Sequence, residues 1–168
     1  MYFYRSLELP LSDENVERVN DFLSVAGLKP LPNGLILVSI CENENGELIG
    51  TCSIFVNGSG RFEIGRLAVR EDHQRQGISK DLLAFVISSL DISPPPVLTC
   101  KIISPSMKVN RNFARLTNEK PWDYSSMDKR TRDLYRVWEV TEKGRKVAVD
   151  TMATYYNFLL EEVNKENE

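Results

Sequence analysis

"HQRQGISKDLL", residues 73–83, decides how the rest of the chain is read. A polar, amide-rich turn with one glycine runs straight into a segment whose apolar residues Ile78, Leu82, Phe85, Val86 and Leu90 recur at three- and four-residue steps. That spacing predicts a helix with one buried face. Its first turn presents N–H groups without intrahelical acceptors and roughly half a positive charge. Gly77 permits a positive φ or a close approach to the backbone, and Gln74, Arg75 and Lys80 add donors around the same turn. Such a turn can hold a phosphate or pyrophosphate. By itself it is also what a plain turn before a helix contains. There is no GxxxxGK followed by Ser or Thr, and no GxGxxG, so the P-loop and dinucleotide-binding readings are set aside.

Upstream, "YFYRSLEL" (2–9) alternates as a strand and "SDENVERVNDFLSVAGL" (12–28) reads as a helix. Ser12 or Asp13 can cap it, Val16, Val19, Phe22 and Leu23 repeat at helical spacing, and Gly27 is placed to end it. Three strand runs follow at 35–42, 47–56 and 61–69, separated by the turn sequences "NENG" and "NGSG". Downstream of the helix, "DISPPP" cannot continue it. "VLTCKIIS" (97–104) is then a strand reached by a right-handed parallel crossover. The expected fold class is α/β, a mixed central sheet flanked by helices. "VNRNFARLTNE" (109–119) reads as helical, and residues 121–134 fit a helix or a loop equally well. "YRVWEVT" (135–141) alternates as a strand that "EKG" turns, and an extra C-terminal helix is expected over 146–163.

The composition bounds the function classes. A chain of 168 residues with 42% hydrophobic and 27% charged residues has the balance of a soluble globular protein. One domain is expected over 1–168, with its core at about 2–141. No apolar run comes near the roughly 20 residues of a membrane span, and the N-terminus lacks a secretory layout. Cys41, Cys52 and Cys100 are odd in number and far apart, which fits reduced thiols in a cytoplasmic protein. One histidine, His73, and no CxxC argue against a zinc site. Net charge is −3, yet Lys101–Lys146 holds 12 Lys/Arg against 6 Asp/Glu. That asymmetry suits a basic surface facing an anionic ligand, or simply a solvated mixed-charge face.

"FEIGRLAVREDHQRQGISKDLL" resembles the acetyl-CoA signature of the GNAT acetyltransferase superfamily. There, a strand ending in "LAV" leads into Q/R-x-x-G-x-G/A and a helix. Here Gln74, Arg75, Gln76, Gly77, Ile78 and Ser79 fill that pattern, with Ser79 where Gly or Ala is usual. The preceding order of strands and helix matches the family layout as well. The resemblance covers about residues 2–118, plus the late strand at 135–141. It implies that backbone groups of Leu67, Ala68 and Val69 pair with the pantetheine arm, while the amides of Arg75 to Lys80 hold the pyrophosphate. Asn112 would touch the cofactor, with Asn110 as the competing assignment. Basic residues from Lys101 onward would meet the 3′-phosphate.

The resemblance also implies an N-acetyltransferase with acetyl-CoA as co-substrate, no metal, and an amine acceptor on a protein or small molecule. Glu63, four residues before Leu67, stands where several family members carry a general base; Phe62, Ile64 and Leu67 would bury it in part. A solvent-facing carboxylate, or an ion pair with Arg66 or Arg61, is the alternative. The family's tyrosine acid is missing near Thr117 and Asn118, so Tyr124 is the candidate acid. His73 is read as a loop residue at the cofactor mouth, and Cys100 as an inert buried thiol. That departure, with the missing Y-x-x-x-GF ending, leaves a second function class open: a non-catalytic GNAT-fold binding or regulatory module. Aromatic residues on several faces of the C-terminal helix point to a homodimer or partner contact, or to packing within the domain. Nucleic acid is a less favoured partner at this net charge.

Overall fold

The computed structural model describes residues 1–58, 60, 62–90, 99–101, 115–119 and 137–166. The chain opens with β1 (Tyr2–Leu7) and α1 (Asp13–Val25), then runs through β2 (Leu35–Asn43), β3 (Leu48–Val56) and β4 (Phe62–Val69). A single 3-10 turn at Glu71–His73 precedes α2 (Ile78–Ser88); then come β5 (Thr99–Lys101), β6 (Thr117–Glu119), β7 (Val137–Val140) and α3 (Glu142–Glu166). The sheet order is β1-β2-β3-β4-β5-β7-β6. β4 and β5 run parallel, and every other neighbouring pair among the described strands is antiparallel.

Local chemistry explains the boundaries. Ser12 Oγ accepts the Asn15 N–H at 3.2 Å, and Asp13 and Glu14 follow in the positive first turn of α1. The helix closes where Leu28 N–H reaches the Leu23 carbonyl at 2.9 Å. At the β2–β3 hairpin, Asn43 Oδ1 accepts the N–H groups of Asn45 and Glu47, both at 3.0 Å.

The two sheet faces carry different layers. Val19 and Leu23 of α1 pack with Leu7, Val38, Ile40 and Ala68 on one side. On the other, α2 lays Ile78, Leu82, Val86 and their neighbours on Cys41, Ile49, Cys52, Ile54 and Ile64, with Ala148 and Met152 of α3 beside it. α2 comes down onto the sheet at Gly50: a Cβ there would stand 2.8 Å from Leu82 Cδ1 and 3.0 Å from the Ala68 carbonyl. Only a bare backbone lets α2 settle at that height.

Three expectations are corrected. Thr117–Glu119 is a strand, because it pairs with β7 at Val140, Glu139 and Trp138, and sheet pairing overrides its helical pattern. Residues 109–114 of that stretch lie outside the described residues. "EKG" is the first turn of α3, since Thr141 Oγ1 caps it by accepting the Gly144 N–H at 2.9 Å. Val16 is exposed, because the buried stripe of α1 is narrowed to Val19 and Leu23. Along α3, Val149, Tyr156, Leu160 and Val163 are also exposed.

Gly50→Ala should therefore destabilise the fold by about 1–3 kcal/mol, the usual cost of overpacking a filled core. Urea unfolding unchanged from the parent would contradict the close approach of α2. Burial also pushes the Cys41 and Cys52 thiols up to about 12, and the Tyr155 hydroxyl to about 12. The folded state then holds protons that an unfolded thiol releases near pH 8.5. That stability is complete below about pH 8.5 and is lost as the pH rises toward 12. A urea midpoint followed from pH 8 to 10 should fall, and fall less steeply in a Cys41→Ala, Cys52→Ala variant. Parallel slopes would refute the linkage.

Candidate functional site

Glu63 and Ile64 are the β4 residues paired with β5 among the described residues, opposite Thr99 and Cys100. Further along, a bulge interrupts the β3–β4 ladder between Thr51 and Ser53. Arg66 sits there in the left-handed region at φ 55°, where an L side chain costs about 1–2 kcal/mol. Its Nε donates to the Pro30 carbonyl at 2.8 Å and its guanidinium lies 5.5 Å from the Phe55 ring centroid. Burial holds its pKa below the usual guanidinium value, against the opposing pull of Glu63. Leu67 falls in that bulge, and Ala68 and Val69 follow, in register with Thr51 and Gly50 of β3 and, among the described residues, with no strand on their other side. Leu67 and Val69 are half-buried and Ala68 is buried.

The turn beyond this edge is built from alternating backbone hands. Arg75 (φ 67°) and Gly77 (φ 87°) are left-handed on either side of Gln76. Such alternation gathers successive N–H groups into an anion-binding concavity. Among the described residues no side chain caps α2, whose N-cap is Gly77 itself. Ile78, 2% exposed, anchors the turn to the core while Ser79 and Lys80 continue it at half-exposed positions. Two expected phosphate donors have other partners. Gln74 Nε2 donates to the Val69 carbonyl at 3.1 Å, and Lys80 Nζ lies 3.2 Å from the Asp81 carboxylate.

Glu63 stands at the far end of β4, opposite Phe55 across the strand pair. It is buried at 8% exposure, which removes the solvent-facing alternative. Asn57 Nδ2 donates to its Oε2 at 3.1 Å. Gly65 leaves room that the Phe55 ring fills; a Cβ there would meet Cε1 at 2.8 Å. Asn112, Asn110, Tyr124 and Arg61 lie outside the described residues, as do the side chains of Cys100 and Lys101.

The motif does not point to the residues that surround the turn. Tyr2 Oη bridges His73 Nδ1 and Gln76 Oε1, each at 2.7 Å, and Arg70 approaches His73 Nε2 at 2.6 Å. A sole histidine beside the motif is the only local signal; Tyr2 is 71 residues away from it. Among the described residues, no three His, Cys, Asp or Glu side chains cluster as metal ligands, and no helix is long and apolar enough to cross a membrane.

The sequence matches the Acetyltransferase (GNAT) family over residues 4–91. No curated protein sequence matches the chain. Among solved structures, it is similar to a diaminobutyrate acetyltransferase from Paenibacillus lautus, determined with L-2,4-diaminobutyric acid and coenzyme A. Identity is 16%, TM-score 0.59, and the match covers 83% of this chain and 94% of that one. A GNAT acetyltransferase from Staphylococcus aureus matches at 15% identity and TM-score 0.57, over 82% of this chain and 98% of the other. A ribosomal-protein alanine N-acetyltransferase from Escherichia coli matches at 16% and 0.57, over 83% and 91%. At these identities the structures speak to the fold. The family match, spanning more than half the sequence and including the left-handed turn and the strand before it, identifies the chain as a member of the GNAT acetyltransferase family.

Proposed function

We propose that the chain is an acetyl-CoA-dependent N-acetyltransferase that passes the acetyl group to an amine of a protein or small molecule by direct attack in a ternary complex. The observation that carries this reading is the start of α2, with left-handed Arg75 and Gly77 and no side-chain cap among the described residues, set directly after the β4 edge that is paired on one side among the described residues. The two features suit the two parts of the co-substrate. Backbone groups of the Leu67–Val69 segment that the β3 ladder does not use would pair with the pantetheine arm. The amides of Arg75 to Lys80 would take the pyrophosphate, aided by a helix terminus contributing about 0.3–1 kcal/mol per anionic group. Val69 has its carbonyl engaged by Gln74, so its share of the pantetheine contact is through its N–H side or lost.

In the reaction, the acceptor nitrogen attacks the thioester carbonyl carbon, the C–S bond breaks, and coenzyme A leaves as a thiol. Glu63 takes the proton released by the amine, directly or through water, with Asn57 holding one carboxylate oxygen in place. Tyr124 is the proposed donor to the departing sulfur, and Asn112 a proposed contact to the co-substrate. The similar solved structures include an enzyme in complex with a diamino acid and one named for a protein alanine, so both acceptor classes are open to test.

Calorimetry with coenzyme A should give micromolar binding that Gly77→Asp abolishes, because the carboxylate would sit where the pyrophosphate charge must lie. No binding to the parent chain would reject the enzyme reading and favour the non-catalytic module. Glu63→Gln should lower kcat for a working acceptor by about 10²–10⁴-fold, the usual share of a general base, and leave coenzyme A affinity unchanged. A kcat equal to that of the parent would remove Glu63 from the mechanism.

A further inference from the structure

We propose that Tyr2 and His73 are positioning residues for co-substrate binding, acting through Gln76 at the centre of the pyrophosphate turn. The inference rests on reading that turn as the coenzyme A site. Its physical basis is the directionality of a four-membered hydrogen-bond chain. Arg70 can only donate, so His73 Nε2, 2.6 Å from its guanidinium, must be the acceptor. A neutral imidazole that accepts at Nε2 carries its proton on Nδ1. Nδ1–H therefore donates to Tyr2 Oη at 2.7 Å. With that lone pair engaged, Tyr2 sends its own proton to Gln76 Oε1, also at 2.7 Å. Every link has one donor and one acceptor, running Arg70 to His73 to Tyr2 to Gln76.

Both ends of the chain are held. Arg70 Nε donates to Asp72 Oδ1 at 2.8 Å, and its Nη1 lies 3.8 Å from Glu47. The Tyr2 ring meets the His73 ring edge-on at 5.6 Å, and its backbone carbonyl accepts from the Tyr155 hydroxyl of α3. Gln76 lies between left-handed Arg75 and Gly77, so pinning its side chain sets the direction in which the surrounding amides point. The backbone strain at Arg75 is then maintained by a contact from β1, an edge strand three places from β4 in the sheet order. Gln76 also spends its carbonyl oxygen on Tyr2, which leaves its NH₂ group as a donor at the turn.

His73 is the only histidine in the chain, so its imidazole resonances are unambiguous. Nitrogen-15 NMR of the free protein at pH 8 should show a neutral ring protonated at Nδ1, whose resonances move as coenzyme A is added. Tyr2→Phe, which keeps the ring and removes the hydroxyl, should weaken coenzyme A binding about 3- to 10-fold, the worth of one net hydrogen bond, at unchanged melting temperature. His73→Ala should weaken it similarly, and the double variant should lose no more than either alone. An Nε2-protonated ring, or parent-like affinity in Tyr2→Phe, overturns the positioning role while the parent's own binding keeps the acetyltransferase reading intact. Absence of binding to the parent overturns both.

Discussion

The contact of Ile78 and Leu82 with Gly50 is the constraint on which the rest of the site depends. Gly50 pairs with Val69, the last residue of β4, and its missing side chain is the place into which α2 descends. One residue therefore sets two distances together: how low the helix rides, and how close its N-terminus comes to the end of the strand. A side chain at position 50 would lift the helix and carry the uncapped amides away from the β4 edge. The apolar stripe of α2 supplies the driving force, since Leu82, Leu83 and Val86 are almost wholly removed from water. The start of α2, where an anion is proposed to bind, is thus a by-product of core packing, and among the described residues no side chain caps it.

That arrangement concentrates backbone strain along one short path. Arg66 and Arg75 hold left-handed conformations that cost about 1–2 kcal/mol for a side-chain-bearing residue. Strain of this kind persists where neighbouring contacts over-determine it. At Arg66 those contacts are the Pro30 carbonyl and the Phe55 ring. At Arg75 they come through Gln76, Tyr2 and His73. The first of these lies between Glu63 and the Leu67–Val69 edge, the second at the turn before α2, so both ends of the proposed co-substrate path are supported from outside the motif.

Glu63 shows how burial and polarity are reconciled beside that path. It lies at the start of β4 on the same face as Phe55 and Ser53, and a buried carboxylate there requires hydrogen-bonding partners. Asn57, in the turn joining β3 to β4, supplies one from only six residues away. The local hairpin thus orients the carboxylate, whereas Arg66, three residues on, is directed away to Pro30 by its left-handed backbone. Of the two arginines weighed as alternative ion-pair partners for Glu63, Arg66 is turned to the Pro30 carbonyl at the bulge, and Arg61 lies outside the described residues.

Periodicity and turn chemistry were sufficient for β1 to β4, α1, α2, the crossover and the late strand, since each carries its own apolar pattern and local stop signal. The turn at 74–80 could be read as a candidate anion site for the same reason, whereas Glu63 was named only through the family resemblance, because nothing in the strand pattern singles it out. Sequence alone determined which residues form the α/β core and where an anion could meet a helix N-terminus, because burial period and helix capping are local properties. Only the tertiary structure decided that 117–119 pairs as a strand, that Gln74 turns back to Val69, and that Tyr2 reaches both His73 and Gln76. Those contacts join residues whose separation along the chain carries no periodic signal, and they form only once the core has brought the strands and α2 together.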